Sequence, residues 1–215
     1  MNYFIEIRKR LIEWGYENRD DFPWRNPDSL YESIVAEIML IRTPAEQVLP
    51  VYLEFLNKYP DAESLYLISI DKIEEEINEL GLKWRAKRLK EMARYFIIHD
   101  IPDKINLSIH ELKKIPGVGD YTASAVITYL YNKRAVPVDS NTVRFIERFY
   151  DKNFSGEARR NSDLYNIIDN LIPDKDKDAV IFNESFLDFM RKVCQPKNPK
   201  CKGCPLRDIC LHPET

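Results

Sequence analysis

The first 193 residues of the chain contain no cysteine, and no run of about 18 apolar residues occurs anywhere in the 215. The second absence excludes a membrane-spanning helix. The charged, amphipathic N-terminus also lacks the apolar core of a secretory signal peptide. No low-complexity tract occurs, and 44% of the residues are hydrophobic, which argues against wholesale disorder. The sequence therefore predicts a folded, cytoplasmic protein.

All four cysteines lie near the C-terminus, in the run CQPKNPKCKGCPLRDIC. They are Cys194, Cys201, Cys204 and Cys210, with the spacing C-x6-C-x2-C-x5-C. In a reducing compartment, clustered cysteines indicate a metal site more often than disulfide bonds. Typical zinc sites pair two C-x2-C units, whereas only one such unit occurs here. Four thiolates can hold either zinc or an iron–sulfur cluster, so the residues alone leave both open.

The net charge of −3 does not indicate a nucleic-acid partner by itself. Local charge is more informative, because residues 83–94 contain six Lys or Arg and one Glu. The cysteine segment adds four cations: Lys197, Lys200, Lys202 and Arg207. One basic face on an acidic body could hold a phosphate backbone. The alternative for residues 83–94, of equal weight, is an ordinary solvated helix face.

Apolar residues recur at helical spacing along most of the chain, and no alternation of strand and helix patterns occurs. The sequence therefore predicts an all-α protein. Ser108 and Glu111 form a capping box before a short helix, and Asp120 is expected to cap the next one. The predicted helices span about 3–16, 30–41, 44–55, 62–68, 71–79, 85–98, 120–130, 140–150, 161–171 and 179–193.

The segment LKKIPGVGDYTASAV predicts two helices joined by a tight turn. Pro116 fixes one φ angle, while Gly117 and Gly119 permit positive φ and close approach of another backbone. Amides at the start of the second helix, with the helix dipole behind them, form an anion site. Such backbone donors hold a phosphate without reading base sequence. The alternative is an ordinary helical hairpin with glycines at its corner.

Five segments, in order, resemble the helix-hairpin-helix (HhH-GPD) DNA glycosylase superfamily in its iron–sulfur branch. That branch includes the endonuclease III, MutY and archaeal MIG families, and the chain is most similar to MIG, a G:T mismatch thymine/uracil glycosylase. MutY comes next. The segments are PWR (23–25), AEIMLIRT (36–43), LKKIPGVGDYTASAV (112–126), VDSNTVRFI (138–146) and FNESFLDFM with the four cysteines (182–210).

The resemblance implies two helical lobes with DNA in the cleft between them. The barrel lobe with the hairpin is expected at 22–135, and the second lobe at 1–21 plus 136–215, with the cysteines at 194–210. A [4Fe–4S] cluster is expected on the four cysteines. The expected partner is double-stranded DNA containing a mismatch or a damaged base, bound by a nucleoid-associated monomer.

The family's catalytic aspartate corresponds to Asp139. Cleavage of an N-glycosidic bond builds positive charge on the deoxyribose, and a carboxylate held against the sugar stabilises it. The same carboxylate can orient or deprotonate the attacking water. From the residues alone, Asp139 would equally suit the N-cap of the helix at 140–150. Asn141 is expected to orient the carboxylate or the water, and Arg144 to be structural.

Glu37 interrupts an apolar helix, and a buried carboxylate needs partners or a raised pKa. The resemblance implies that Glu37 bonds to or protonates the flipped base; the alternative is an exposed Glu on the polar edge of the helix. Tyr121 stands where endonuclease III-like enzymes carry a Schiff-base lysine. The resemblance to MIG implies that this tyrosine lines the base pocket. The alternative is that it is a core aromatic residue of the hairpin. A monofunctional glycosylase is therefore expected.

The expected contacts to DNA come from several loops. Ile41 and Arg42 replace the glutamines that MutY proteins carry, and Arg42 is expected to fill the gap left by the flipped base and to contact guanine. Leu82 is a candidate second wedge, while the neighbouring Trp84 is more typical of a core residue. The remaining expected contacts are Gly117, Val118, Gly119 and Lys200.

Thymine or uracil opposite guanine is the expected substrate, in base excision repair. The alternative substrate is adenine, removed by a MutY-like enzyme without the domain that reads 8-oxoguanine, since the chain ends at Thr215 soon after the cysteines. A DNA-binding module with a structural metal and a degenerate site is the non-enzymatic alternative. A bifunctional lyase is not expected.

Overall fold

The computed structural model describes residues 3–102, 105–154 and 161–212. Within these ranges the regular structure is helical and contains no β-strand, which confirms the predicted all-α class. No helix in the described ranges combines the length and the apolar character needed to cross a bilayer. The α-helices are α1 (Tyr3–Asn18), α2 (Leu30–Leu40), α3 (Ala45–Lys58), α4 (Ala62–Leu67), α5 (Ile70–Glu76), α6 (Trp84–Ile98), α7 (Ile109–Leu112), α8 (Asp120–Tyr129), α9 (Ser140–Phe149), α10 (Ser162–Leu171) and α11 (Asp176–Lys192).

Side-chain caps decide where several of these helices begin. The predicted capping box is present at α7, where Ser108 Oγ accepts from Glu111 N and Glu111 Oε2 accepts from Ser108 N. The prediction for Asp120 is wrong, because Gly119 is the N-cap of α8 and Asp120 is its first residue. Asp120 instead forms an ion pair with Lys113.

The chain divides into two units. The hairpin unit is Phe22–Tyr131, and the cysteine unit is Met1–Asp21 with Asn132–Thr215. Each unit has its own apolar core.

Helix α2 is central to the hairpin unit, where it packs against α3, α6 and α8. Its N-cap Ser29 accepts a hydrogen bond from Glu32 N at 3.1 Å. From Leu30 to Met39, only Glu32 is not buried. An enclosed helix of this kind explains why its sequence is apolar almost throughout.

In the cysteine unit, α1 lies along α11 and α9 packs against α11. Phenylalanines from α9 and α11 form the middle of this core, with Phe145 and Phe186 in edge-to-face contact at 4.8 Å. The buried Asn183 of α11 donates from Nδ2 to Ala135 O at 3.2 Å. This contact holds the extended link that leads to Asp139.

Candidate functional site

The turn of the helical hairpin is built as the sequence predicts at one glycine and differently at the other. Gly117 has φ +92°, a conformation that favours glycine. Its turn lies close to α2, because a Cβ at this position would be 3.3 Å from Ile38 Cδ1. Gly119 has φ −98°, so it does not use the positive φ that glycine permits. A Cβ at Gly119 would meet nothing within 4 Å, so this part of the turn is open.

The start of α8 offers backbone donors rather than a capped end. Its N-cap Gly119 supplies no side-chain acceptor, and the first bond of the helix is Ala123 N to Gly119 O at 2.9 Å. The N–H groups that precede Ala123 therefore have no acceptor within the helix. Val118 is 7% exposed and Tyr121, the second residue of α8, is half-buried.

Glu37 is enclosed in α2. It is 7% exposed, and its neighbours Ala36 and Ile38 are fully buried. The alternative of an exposed glutamate on the polar edge of the helix is therefore wrong. Burial of a carboxylate is costly in free energy, so a buried glutamate in an apolar helix is a candidate functional residue.

Three exposed residues of the hairpin unit, Arg42, Leu82 and Asp100, have an unusual backbone conformation. Arg42 has φ +58° and Leu82 has φ +53°. Positive φ is uncommon for residues other than glycine and is strained unless the surroundings fix it. Ile41, the C-cap of α2, is half-buried. Trp84 is 39% exposed, so its expected core position is wrong.

Residues 83–94 do not form a continuous basic face. Arg85 is fully buried. Three of the lysines are engaged within the unit: Lys83 with Glu74 at 3.6 Å, Lys87 with Glu91 at 3.8 Å, and Lys90 with Ile68 O at 2.6 Å. The segment is thus mainly a helix whose cations serve local contacts.

Asp139 is the N-cap of α9, so the structural interpretation of this residue is confirmed. Its Oδ1 accepts from Asn141 N and Thr142 N, both at 2.8 Å. Its Oδ2 accepts from Asn141 Nδ2 at 2.6 Å. The cap therefore occupies mainly Oδ1, and the half-buried carboxylate is held in one orientation.

A chain of hydrogen bonds continues from Asp139 to the first cysteine. Asn141 Oδ1 accepts from Arg144 Nη1 at 2.8 Å, and Arg144 Nη2 donates to Cys194 O at 3.0 Å. Burial lowers the pKa of Arg144 from its usual range. Arg144 was expected to be structural, and its link from Asn141 to Cys194 could not be read from the sequence.

The four cysteines line one cavity of about 240 Å³, together with aromatic residues of the core. All four are half-buried free thiols. Burial raises the pKa of Cys204 to about 11 and also raises the pKa of Cys210. Arg148 Nη1 lies 3.7 Å from Cys194 Sγ, and Leu206 N lies 3.4 Å from Cys204 Sγ.

This donor set suits a group bound through sulfur. It offers four thiols around one cavity, as a cluster of several metal atoms bound through sulfur requires. In the part of the chain that the structure describes, no three His, Cys, Asp or Glu side chains are grouped closely enough for one metal ion. The N–H groups beside two of the sulfurs are typical of thiolate sites, where hydrogen bonds tune the sulfur. The residues present thus fit a bound group.

The chain is similar over nearly its whole length to known DNA glycosylases. The chain is 38% identical over 211 residues to a thymine-DNA glycosylase of Aeropyrum pernix, covering 96% of this chain and 93% of that protein. It is 34% identical over 206 residues to a thymine/uracil-DNA glycosylase of Methanothermobacter thermautotrophicus, covering 95% and 91%.

A solved structure of a thermostable thymine-DNA glycosylase superposes with a TM-score of 0.84 at 31% identity, covering 95% of this chain and 94% of that one. Residues 35–162 match the model of the family described as HhH-GPD superfamily base excision DNA repair protein. The resemblance drawn from the five sequence segments is therefore confirmed. The chain belongs to the HhH-GPD superfamily of base excision DNA repair proteins.

Proposed function

We propose that the protein is a monofunctional DNA glycosylase that extrudes and hydrolyses thymine or uracil mispaired with guanine. The observation that carries this proposal is the likeness, over nearly the whole chain, to thymine and thymine/uracil glycosylases at 34–38% identity. An adenine glycosylase of Buchnera aphidicola is 27% identical, and the match covers 58% of its length. The adenine-specific alternative thus has weaker support.

Within the cysteine unit, Asp139 is the proposed catalytic residue. Its carboxylate stabilises positive charge on the sugar and directs the attacking water. Asn141 is a positioning residue, because its amide donates to Asp139 Oδ2 at 2.6 Å. Arg144 holds the other end of that amide at 2.8 Å and so fixes which way it faces.

Within the hairpin unit, Glu37 and Tyr121 are the proposed contacts to the extruded base. Glu37 is a buried carboxylate on a rigid helix, suited to bond with or protonate a base. Tyr121 supplies an aromatic face and a phenol. Because Tyr121 stands where a lyase would carry its lysine nucleophile, no Schiff base with the sugar is expected.

Backbone donors in the hairpin are proposed to hold the DNA strand. The open turn at Gly119 leaves room for a phosphate. The start of α8, where no side chain caps the helix, supplies N–H groups and a favourable dipole. The side chain of Val118, in this turn, belongs to the buried core of the hairpin unit. Lys200, exposed on the cysteine loop, is a further proposed phosphate contact. Mispaired bases cost less to extrude, which supplies part of the selectivity.

A panel of duplexes tests the proposed substrate. We expect release of thymine from G:T and of uracil from G:U, with no adenine released from A:G or A:8-oxoguanine. The DNA strand should stay intact until alkali is added, and borohydride should trap no covalent complex, because no lysine occupies position 121. The measurement is single-turnover base release followed by strand analysis with and without alkali.

Three results of the panel would each replace the proposal. Adenine release without pyrimidine release would identify a MutY-like adenine glycosylase. Borohydride trapping would identify a lyase. Tight binding to all four duplexes without any base release would identify a DNA-binding module.

We propose that Cys194, Cys201, Cys204 and Cys210 hold a [4Fe–4S] cluster. When bound, the cluster would supply four iron–thiolate bonds that close the loop from residue 194 to residue 210, with no electron transfer needed for hydrolysis. Arg148 already braces this loop, since it donates to Gln195 O at 2.6 Å and Pro196 O at 2.9 Å. The exposed cations of the loop would then face DNA phosphate in a fixed arrangement.

Metal analysis tests the cluster. Protein purified without oxygen is expected to be brown, with a broad visible absorption band and about four iron and four sulfide per chain. Replacement of Cys204 by Ser should remove the colour, because a weaker oxygen ligand replaces one thiolate. Colourless protein that contains one zinc per chain would contradict this proposal and leave the glycosylase proposal unaffected.

A further inference from the structure

Two exposed loops of the hairpin unit share a backbone feature, which Asp100 beyond α6 also has, and are held by the same side chain. The Arg42 loop (residues 41–43) and the Leu82 loop (residues 80–83) each contain one residue with positive φ other than glycine. Both side chains are exposed, Leu82 to 38%. Strained residues of this kind persist where the surrounding structure fixes them.

Arg85 is what both loops have in common. Its side chain is fully buried in the first turn of α6. Arg85 Nη1 donates to Leu80 O at 2.7 Å and Gly81 O at 3.0 Å. Arg85 Nη2 donates to Thr43 Oγ1 at 2.6 Å and to Ile41 O. One guanidinium therefore holds residues on both sides of Arg42 and the two residues that precede Leu82.

The guanidinium is bound by neutral acceptors and lies 5.8 Å from the centre of the Trp84 ring. In the described ranges no carboxylate pairs with Arg85, and its buried Nε has no hydrogen-bond partner. Burial lowers the pKa of the guanidinium, which reflects the cost of removing the charge from water. Lysine could not replace it, because a single ammonium lacks the planar fork that reaches both loops at once.

We propose that Arg85 is a positioning residue that fixes the spacing of Arg42 and Leu82, so that both enter the duplex together when the target base is extruded. Arg85 itself stays buried and touches neither the base nor the phosphate. This inference rests on the proposed function, and it adds the residue that sets the geometry of the extrusion step.

The test is a double-mutant cycle on single-turnover uracil release from a G:U duplex. Arg85→Lys is expected to lower the rate by about 10- to 100-fold, because small misplacements of positioning groups cost that much. In an Arg42→Ala/Leu82→Ala background, the same Arg85→Lys change is expected to have almost no further effect. Arg94→Lys, an exposed arginine on the same helix, is the matched control and should leave the rate unchanged.

A second readout separates extrusion from chemistry. The fluorescence of 2-aminopurine placed beside the target base rises when the base leaves the stack, independently of bond cleavage. Arg85→Lys should reduce this rise. Multiplicative losses in the cycle, or an unchanged fluorescence response, would overturn the positioning role. Wild-type protein that gives the fluorescence rise but releases no base would overturn the proposed function and leave the Arg85 inference standing.

Discussion

Replacement of Asp139 by Asn is expected to lower the rate of base release by about 10²- to 10³-fold or more, because loss of one preorganised electrostatic group typically costs that much. The fold should survive. The amide oxygen of Asn can still accept from Asn141 N and Thr142 N, as Asp139 Oδ1 does at 2.8 Å, and Asn is as good an N-cap as Asp. The substitution removes the negative charge near the sugar. It also removes the acceptor of Asn141 Nδ2, because an amide NH2 group replaces Oδ2. Single-turnover release from a G:T duplex measures the effect, with DNA affinity and thermal unfolding measured in parallel.

A second capping aspartate provides the matched control. Asp61 is the N-cap of α4, and its carboxylate accepts from Ser64 N at 2.8 Å within a capping box, as Asp139 does in α9. Asp61→Asn should have the same small effect on stability and no effect on base release. If Asp139→Asn retains full activity, or loses activity only in proportion to lost stability, then Asp139 serves only as a helix cap and the catalytic group lies elsewhere.

The interactions that the sequence predicted well are local. The capping box of Ser108 and Glu111 joins residues three positions apart, and its geometry follows from the helix itself. The left-handed turn at Gly117 likewise follows from residue type. The burial of Glu37 was open at the sequence level, because a single acid in an apolar run can face either way, and packing around α2 decides it.

The tethers that orient the candidate site could not be predicted in this way. Arg85 and Ile41 lie 44 residues apart in the chain, and Arg144 and Cys194 lie 50 apart. Helical periodicity carries no information on which carbonyl a distant guanidinium will meet. In the sequence, Arg85 is one of six cations in a basic segment, and only tertiary packing distinguishes the buried one from those at the surface. Binding residues are thus easier to nominate from sequence than the residues that position them.

The other large expected effect concerns stability. Gly15 of α1 faces Ser185 of α11 so closely that a Cβ at Gly15 would overlap Ser185 Oγ and lie 2.5 Å from Ser185 Cβ. Gly15→Ala should therefore lower the free energy of unfolding by about 1–3 kcal/mol, the usual cost of overpacking. Alanine stabilises a helix by about 1 kcal/mol relative to glycine. The cost of the overlap is expected to exceed this gain, because Ser185 Cβ cannot move unless α11 moves. Urea denaturation followed by circular dichroism measures the change.

A compensating substitution makes this prediction specific. Ser185→Gly removes both overlapping atoms, so the Gly15→Ala/Ser185→Gly protein should recover most of the lost stability. It should not recover the contribution of the hydrogen bond from Ser185 Oγ to Ile181 O at 2.7 Å, which the substitution removes. Gly203→Ala is the control, since a Cβ there would meet nothing within 4 Å. Because α11 continues towards Cys194, a displaced α11 should also loosen the loop that carries the four thiols. A Gly15→Ala protein more stable than the wild type would contradict this prediction. It would mean that the helix propensity of alanine exceeds the steric cost of its Cβ, and that α1 can move away from α11.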